Sequence, residues 1–304
     1  MKTVKTLIHS ILVLLLLAGS QPLRAQGPRV LVSEVLFNPE PGGADYVELY
    51  NAGDTSVPLA QLRLARMVGD SLARLYAIDT VGLLAAGQWL VVTTDAAYVT
   101  SHYTVQHPDR MVEVPSMPAY NDASGTVAVA TADGLLLDRL DYSEAMHSRL
   151  LRDKEGVALE RRSYEQPASA SGNWYSAAST AGYGTPTYRN SQSREFLFVD
   201  DDFAVEPALF SPDGDGYNDL LDITYGLTLC DLAANVTIYD AHGRAVRRLA
   251  RGALLGCQGV LSWDGTDDDG RPCPRGSYVA VVEAYNESGA TQGWRRKISL
   301  VRNL

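Results

Sequence analysis

The chain has 304 residues, 46% hydrophobic and 20% charged, with a formal net charge of −10. That length suits about two domains, and the acidity argues against nucleic acid or an anionic membrane surface as a partner. Its three cysteines match no zinc spacing.

Lys2 and Lys5 precede an apolar run over 7–18, which Gly19-Ser20-Gln21-Pro22 ends. Ala25 then supplies a small residue for cleavage. This layout predicts a secretory signal peptide over residues 1–25. The run is shorter than the ~20 apolar residues that span a bilayer. Removing it takes away Lys2, Lys5 and Arg24 and no acid, moving the formal charge from −10 to −13. No later segment is long and apolar enough for a membrane helix. The expected product is exported, secreted or on the outer cell surface, and not an integral membrane protein.

The remaining pattern predicts strands. Residues 30–37, 46–50, 89–94, 126–131, 135–140 and 157–161 are short and rich in β-formers. In the second run Val47 and Leu49 share one face, and Tyr46, Glu48 and Tyr50 share the other, which alternation assigns to solvent. Ala132-Asp133-Gly134 reads as a hairpin turn. Residues 96–103 and 143–151 are the only short helical candidates. Residues 173–190 lose all periodicity and read as a closing loop, and 191–204 as a polar connector. From 205 a second β series follows, over 220–225, 234–239, 245–249, 260–263, 277–285 and 294–301. The expectation is an all-β chain of two immunoglobulin-like β-sandwich domains, 26–190 and 205–304, after a cleaved signal peptide.

Two acidic loops mark the second domain. Phe210-Ser-Pro-Asp-Gly-Asp-Gly-Tyr-Asn-Asp219 continues to Asp222. Laid on a twelve-residue calcium loop, Ser211, Asp213, Asp215, Asp219 and Asp222 occupy ligand positions, with Gly216 at the sixth place. Serine at the first position and aspartate at the last depart from that pattern. The alternative is a loop whose Asp and Asn side chains cap their own backbone. Asp213, Asp215, Asp219 and Asp222 are therefore the candidate calcium ligands, and no other cofactor is implied. Asp264, Asp267, Asp268 and Asp269 read as a solvated hairpin loop. An oxidising compartment permits one disulfide. Cys230–Cys257 is the preferred pair because each flanks a predicted strand; Cys257–Cys273 is the alternative.

Two family resemblances add to this reading. Val32-Ser-Glu-Val-Leu-Phe-Asn-Pro39, Asp45-Tyr-Val-Glu-Leu-Tyr-Asn51 and Gly87-Gln-Trp-Leu-Val-Val-Thr-Thr-Asp95 resemble the lamin tail domain of secreted Bacteroidetes proteins. Segments 141–147, 156–161, 173–178 and 184–186 resemble its later parts. The resemblance implies an immunoglobulin-like sandwich without catalytic residues. Phe210–Asp219, Val236–Arg244, Trp263-Asp-Gly265 and Gly276-Ser-Tyr278 resemble the immunoglobulin-like domain of the flagellar hook-capping protein and gliding-motility C-terminal domains. Such C-terminal domains serve type IX secretion in Bacteroidetes, which makes the secretion machinery, or a cell-surface protein or glycan, the implied partner.

Catalytic signals are thin. Glu34, Glu48 and Asp95 come from different predicted strands and would suit carboxylate-pair hydrolysis only if they converged in an open pocket. His102, His107 and His147 show no metal-binding spacing. Tyr46 and Tyr50 are the candidate aromatic binding strip. The sequence reads as a non-enzymatic modular protein, with a metal-dependent hydrolase, or an accessory unit of one, and a passive spacer as alternatives.

Overall fold

The computed structural model describes residues 28–78, 81–194 and 202–301. The expected signal peptide lies outside the described residues. In chain order the strands are β1 (Val30–Leu36), β2 (Tyr46–Asn51), β3 (Val57–Pro58), β4 (Leu62–Val68), β5 (Ser71–Ala77), β6 (Leu83–Leu84) and β7 (Trp89–Thr93). Helix α1 (Ala96–His102) follows, then β8 (Met111–Glu113), β9 (Ser124–Thr131), β10 (Leu136–Ser143), β11 (Leu159–Arg161) and β12 (Trp174–Ser176). A six-stranded sheet runs β12-β11-β1-β2-β7-β8 and faces a four-stranded sheet β10-β9-β4-β5. Val30, Val32, Val35 and Phe37 of β1 and its exit point between them, against Leu62, Leu64, Val127, Val129 and Leu140. This inner layer is the sandwich core.

The second unit holds β13 (Asp202–Glu206), β14 (Leu209–Phe210), β15 (Leu221–Gly226), β16 (Leu232–Asp240), β17 (Ala245–Leu254), β18 (Gln258–Trp263), β19 (Gly276–Asn286) and β20 (Thr291–Leu300). Its sheets are β13-β15-β18 and β14-β20-β19-β16-β17. Strict alternation in β15 buries Leu221, Ile223 and Tyr225. They pack with Phe203, Phe210, Trp263, Val236, Ile238, Val282 and Ile298. The chain is all-β, built as two immunoglobulin-like sandwiches.

Several elements differ from expectation. β4 and β5 were not legible because Arg63, Arg66 and Arg74 interrupt their apolar character. Gly69, at φ 57°, turns one into the other. The helix expected over 143–151 is a single 3-10 turn at Glu144–Met146. The closing loop over 173–190 contains β12, which joins the large sheet beside β11. The connector expected over 191–204 is shorter. Ser191, Gln192 and Ser193 are buried, and Asp202 to Ala204 belong to β13. Residues 195–201 lie outside the described residues.

The two units touch along the loop after β17. The Cys257 N–H donates to the Ser191 carbonyl at 2.8 Å, and Gln192 Nε2 to the Leu255 carbonyl at 3.3 Å. Ser179 Oγ donates to the Leu254 carbonyl at 2.9 Å, and Arg162 Nη2 to the Cys230 carbonyl at 3.3 Å. A Cβ on Gly256 would stand 2.5 Å from the Ser191 oxygen, so only glycine permits this approach. Cys230 and Cys257 are disulfide-bonded, with Cα atoms 4.5 Å apart, and Cys273 is buried outside the bridge. The disulfide thus ties the docking loop back to the start of β16. On the far side Glu287 accepts from the Arg149 N–H at 2.8 Å, Ser148 Oγ at 3.1 Å and Tyr175 OH at 3.2 Å.

Candidate functional site

The most densely bonded polar cluster lies on the second face of the large sheet. β1 pairs with β11 at Glu34 opposite Glu160, and with β2 at Glu34 opposite Glu48. Directly opposed residues on neighbouring strands share a face. One rung therefore carries three carboxyls, all at 0% exposure. The register shifts at Ser33, the extra residue of a β-bulge, whose hydroxyl reaches Glu48 Oε1 at 2.8 Å.

Alternation correctly separated Glu48 from Val47 and Leu49, but the face it occupies is not solvent. Helix α1 and the segment over 177–193 cover it. Leu36, Tyr46, Val91, Tyr98, Val99 and Ala177 form a second apolar cluster there. Tyr46 is fully buried, so the Tyr46–Tyr50 binding strip is corrected: Tyr46 presents nothing to a ligand. Its hydroxyl donates to Glu34. Tyr50 is half-buried, stacked on Tyr164 with ring centroids 4.1 Å apart and tilted against Trp89 at 5.1 Å.

Each carboxyl holds part of the covering segment. Glu34 accepts from the Thr185 N–H at 3.0 Å and the Thr185 hydroxyl at 2.7 Å. Glu48 accepts from the Thr187 N–H at 2.7 Å. Glu160 accepts from the Gln192 N–H at 2.7 Å and the Ser191 hydroxyl at 2.8 Å. Thr187 sits at φ 76°, a conformation costly for a β-branched residue. Such strain persists where the surroundings over-determine the backbone, as the Glu48 bond helps to do here.

The geometry and burial of the cluster favour a retained proton. Thr185 Oγ1 lies 2.7 Å from Glu34 and 2.9 Å from Glu160. One hydroxyl hydrogen bonds two ionised carboxylates poorly, and a proton on one carboxyl would satisfy both contacts. Burial, with Glu160 alongside, pushes Glu34 up to about 8. Burial raises Glu48 and Glu160 as well, Glu34 adding to the rise of Glu48. The largest opposing influences are hydrogen bonds from hydroxyls and backbone N–H groups.

This arrangement suits fastening better than catalysis. The three carboxyls are closed to substrate and committed to the protein's own donors. Asp95 does not join them; it caps α1 by accepting the Tyr98 N–H at 2.9 Å. His147 is buried on Ser176 Oγ at 2.9 Å, and burial lowers it to about 4.

The acidic loops separate into two cases. Asp213, Asp215 and Asp219 offer oxygens within 4.8 Å of one another. Asp222 stands apart on β15, where it accepts from Ser262 Oγ at 2.6 Å. Asp219 accepts the N–H groups of Asp213, Gly214 and Gly216 at 3.1, 2.7 and 2.8 Å. The loop is thus closed by its own backbone. In the second loop, arginines share the solvated acids: Arg248 lies 2.7 Å from Asp268, and Arg271 2.6 Å from Asp269.

Residues 24–144 match the Lamin Tail Domain family, and residues 223–288 match the FlgD Ig-like domain family. The chain carries a lamin tail domain followed by a FlgD Ig-like domain. Similar solved structures include FlgD from P. aeruginosa, at 25% identity and TM-score 0.23, covering 26% of this chain and 61% of that one. Dimeric latent PorU from Porphyromonas gingivalis is 12% identical with TM-score 0.27, covering 94% of this chain and 21% of that one. PorZ, a surface component of the type IX secretion system of the same organism, is 14% identical with TM-score 0.28, covering 88% and 30%. This chain spans less than two thirds of each of these proteins. No curated protein matches. The lamin tail match ends at 144, whereas Glu160 lies beyond it in sequence and on the same sheet in space, and the 177–193 segment that covers the sheet lies further on.

Sequence reasoning missed Glu160. The available signal was recurrence: in Glu34, Glu48 and Glu160 a lone carboxylate follows or splits a β-forming run. Among the described residues no helix is long and apolar enough to cross a membrane.

Proposed function

We propose that this chain is a secreted or cell-surface, non-enzymatic modular protein. The lamin tail domain serves binding or spacing, and the C-terminal domain is a structural, type IX secretion-linked module. The observation that carries this reading is the commitment of all three buried glutamates to fastening the 177–193 segment, on which the C-terminal domain docks through Ser191 and Gln192. A protein built this way presents two sandwiches as one unit. Cell fractionation of the source organism, with the full chain and with a chain lacking 205–304, tests it. The truncated chain is expected to fail to reach the outer surface. Normal arrival would sink the secretion role, and hydrolytic activity of the purified full chain would favour the hydrolase reading.

Calcium binding at the first acidic loop is a second proposal, supported by the convergence of Asp213, Asp215 and Asp219. Its ligand set is three carboxylates, without Asp222. Calcium is expected to raise the melting temperature of the C-terminal domain relative to chelator, and Asp215→Asn to remove the difference. Identical melts in calcium and chelator would end the proposal.

A further inference from the structure

A cleft of about 620 Å³ opens between the two domains, lined on one side by Trp89, Tyr188 and Arg189 and on the other by Gln258, Gly259 and Val260. Its second wall is the margin of a sheet, because β18 ends the order β13-β15-β18. The Leu227 N–H donates to the Cys257 carbonyl at 2.7 Å. The antiparallel register then makes Tyr225–Gly259 and Ile223–Leu261 the hydrogen-bonded pairs. Gln258, Val260 and Ser262 fall at the alternate positions. Their backbone N–H and C=O groups point away from β15, and among the described residues β18 pairs with no strand other than β15.

An edge of this kind is usually blunted by charge, proline or a covering element. Gln258-Gly259-Val260 carries neither charge nor proline, and Val260 is 49% exposed. Among the described residues no strand covers this edge, and the cleft faces it with aromatic rings and a guanidinium.

From this geometry we propose that the cleft binds an extended peptide segment bearing a carboxylate. The segment adds as a strand to the β18 edge, and its carboxylate meets Arg189. Main-chain pairing supplies the affinity and the aromatic wall reads alternate side chains. Arginine suits the carboxylate by two-point hydrogen bonding. The five residues from Gln258 to Ser262 span about 17 Å, room for a peptide of about five residues. This deepens the binding role proposed above by naming a partner class, and it rests on that reading.

The test uses the full chain and a pooled random hexapeptide library, once with free C-termini and once amidated. Hydrogen exchange over 258–262 is expected to slow at least tenfold with the pool. Val260→Pro removes one outward N–H while leaving the inward pairs, as edge positions allow. It is expected to abolish the slowing without changing the melt, whereas Val260→Thr retains it. Arg189→Gln, a change at the opposite wall, is expected to weaken binding at least fivefold and serves if the proline variant fails to fold. Loss of slowing on amidation assigns the carboxylate to the C-terminus, and persistence assigns it to an acidic side chain; both support the proposal. No slowing with either pool at millimolar peptide overturns it, as does undiminished binding by both variants. Slowing that depends on protein concentration without peptide overturns it in favour of a second copy. Val260→Pro that loses peptide yet reaches its normal compartment separates this site from the secretion role.

Discussion

Replacing Glu160 with alanine is expected to lower the unfolding free energy by about 2–4 kcal/mol, because a buried donor left unsatisfied costs ~1–3 kcal/mol. The orphaned donors are the Gln192 N–H and the Ser191 hydroxyl, and the Thr185 hydroxyl loses one of its two partners. Relief of the buried carboxyl's own desolvation offsets part of this. Glu160→Gln keeps an acceptor oxygen and is expected to cost less than half as much. The damage extends past the lamin tail domain, since Ser191 and Gln192 also carry the C-terminal domain through Cys257 and Leu255. Denaturant unfolding followed by tryptophan fluorescence reads both effects, Trp89 and Trp174 reporting one sandwich and Trp263 and Trp294 the other. One transition in the native chain should divide into two in Glu160→Ala. An alanine variant as stable as the parent would refute the fastening role.

Stability is expected to be greatest near pH ~4.5 and to fall between there and about pH 8. Glu34 holds its proton up to about 8 in the fold, against an ordinary value of 4.5. Between those values the folded state binds more protons than the unfolded one, so unfolding free energy decreases as pH rises. Glu48 and Glu160 act in the same direction, as does Asp45, which burial and then Asp122 push up to about 7. His147 acts oppositely. Burial lowers it from 6.5 to about 4, so stability rises with pH across that interval. Between about 4.5 and 6.5 the several carboxyls outweigh the single histidine, and above 6.5 only the carboxyls remain. A tenfold change in proton affinity is worth ~1.4 kcal/mol, so the alkaline loss is on the order of a few kcal/mol. Glu34→Gln is expected to flatten the alkaline limb and leave the acidic one. Melting temperatures from pH 4 to 9 decide the matter, and a parent curve that rises steadily to pH 8 would contradict it.

Much of the fold was legible because its strands alternate cleanly. Leu221, Ile223 and Tyr225 inward, with Asp222 and Thr224 between them, define β15 without any knowledge of its neighbours. The failures have one physical cause. Alternation says which residues share a face and nothing about what covers that face. Glu48 and Tyr46 were separated correctly from Val47 and Leu49, yet assigned to water because the covering segment is more than a hundred residues away and aperiodic. The calcium reading shows the same limit. Spacing placed Asp222 with Asp213, Asp215 and Asp219, but β15 carries it off to Ser262.

The linear chain by itself determined the β class, the two sandwiches and the turn-forming acidic loops, because period-two hydrophobicity and Asp-Gly turns are local properties. Tertiary structure alone decided that three glutamates on β11, β1 and β2 form one buried rung and that the 177–193 segment closes over it. It alone placed the edge of β18 beside Trp89 and Tyr188. Strand order and register arise from contacts far apart in sequence, and burial of a carboxyl depends on what lies above it.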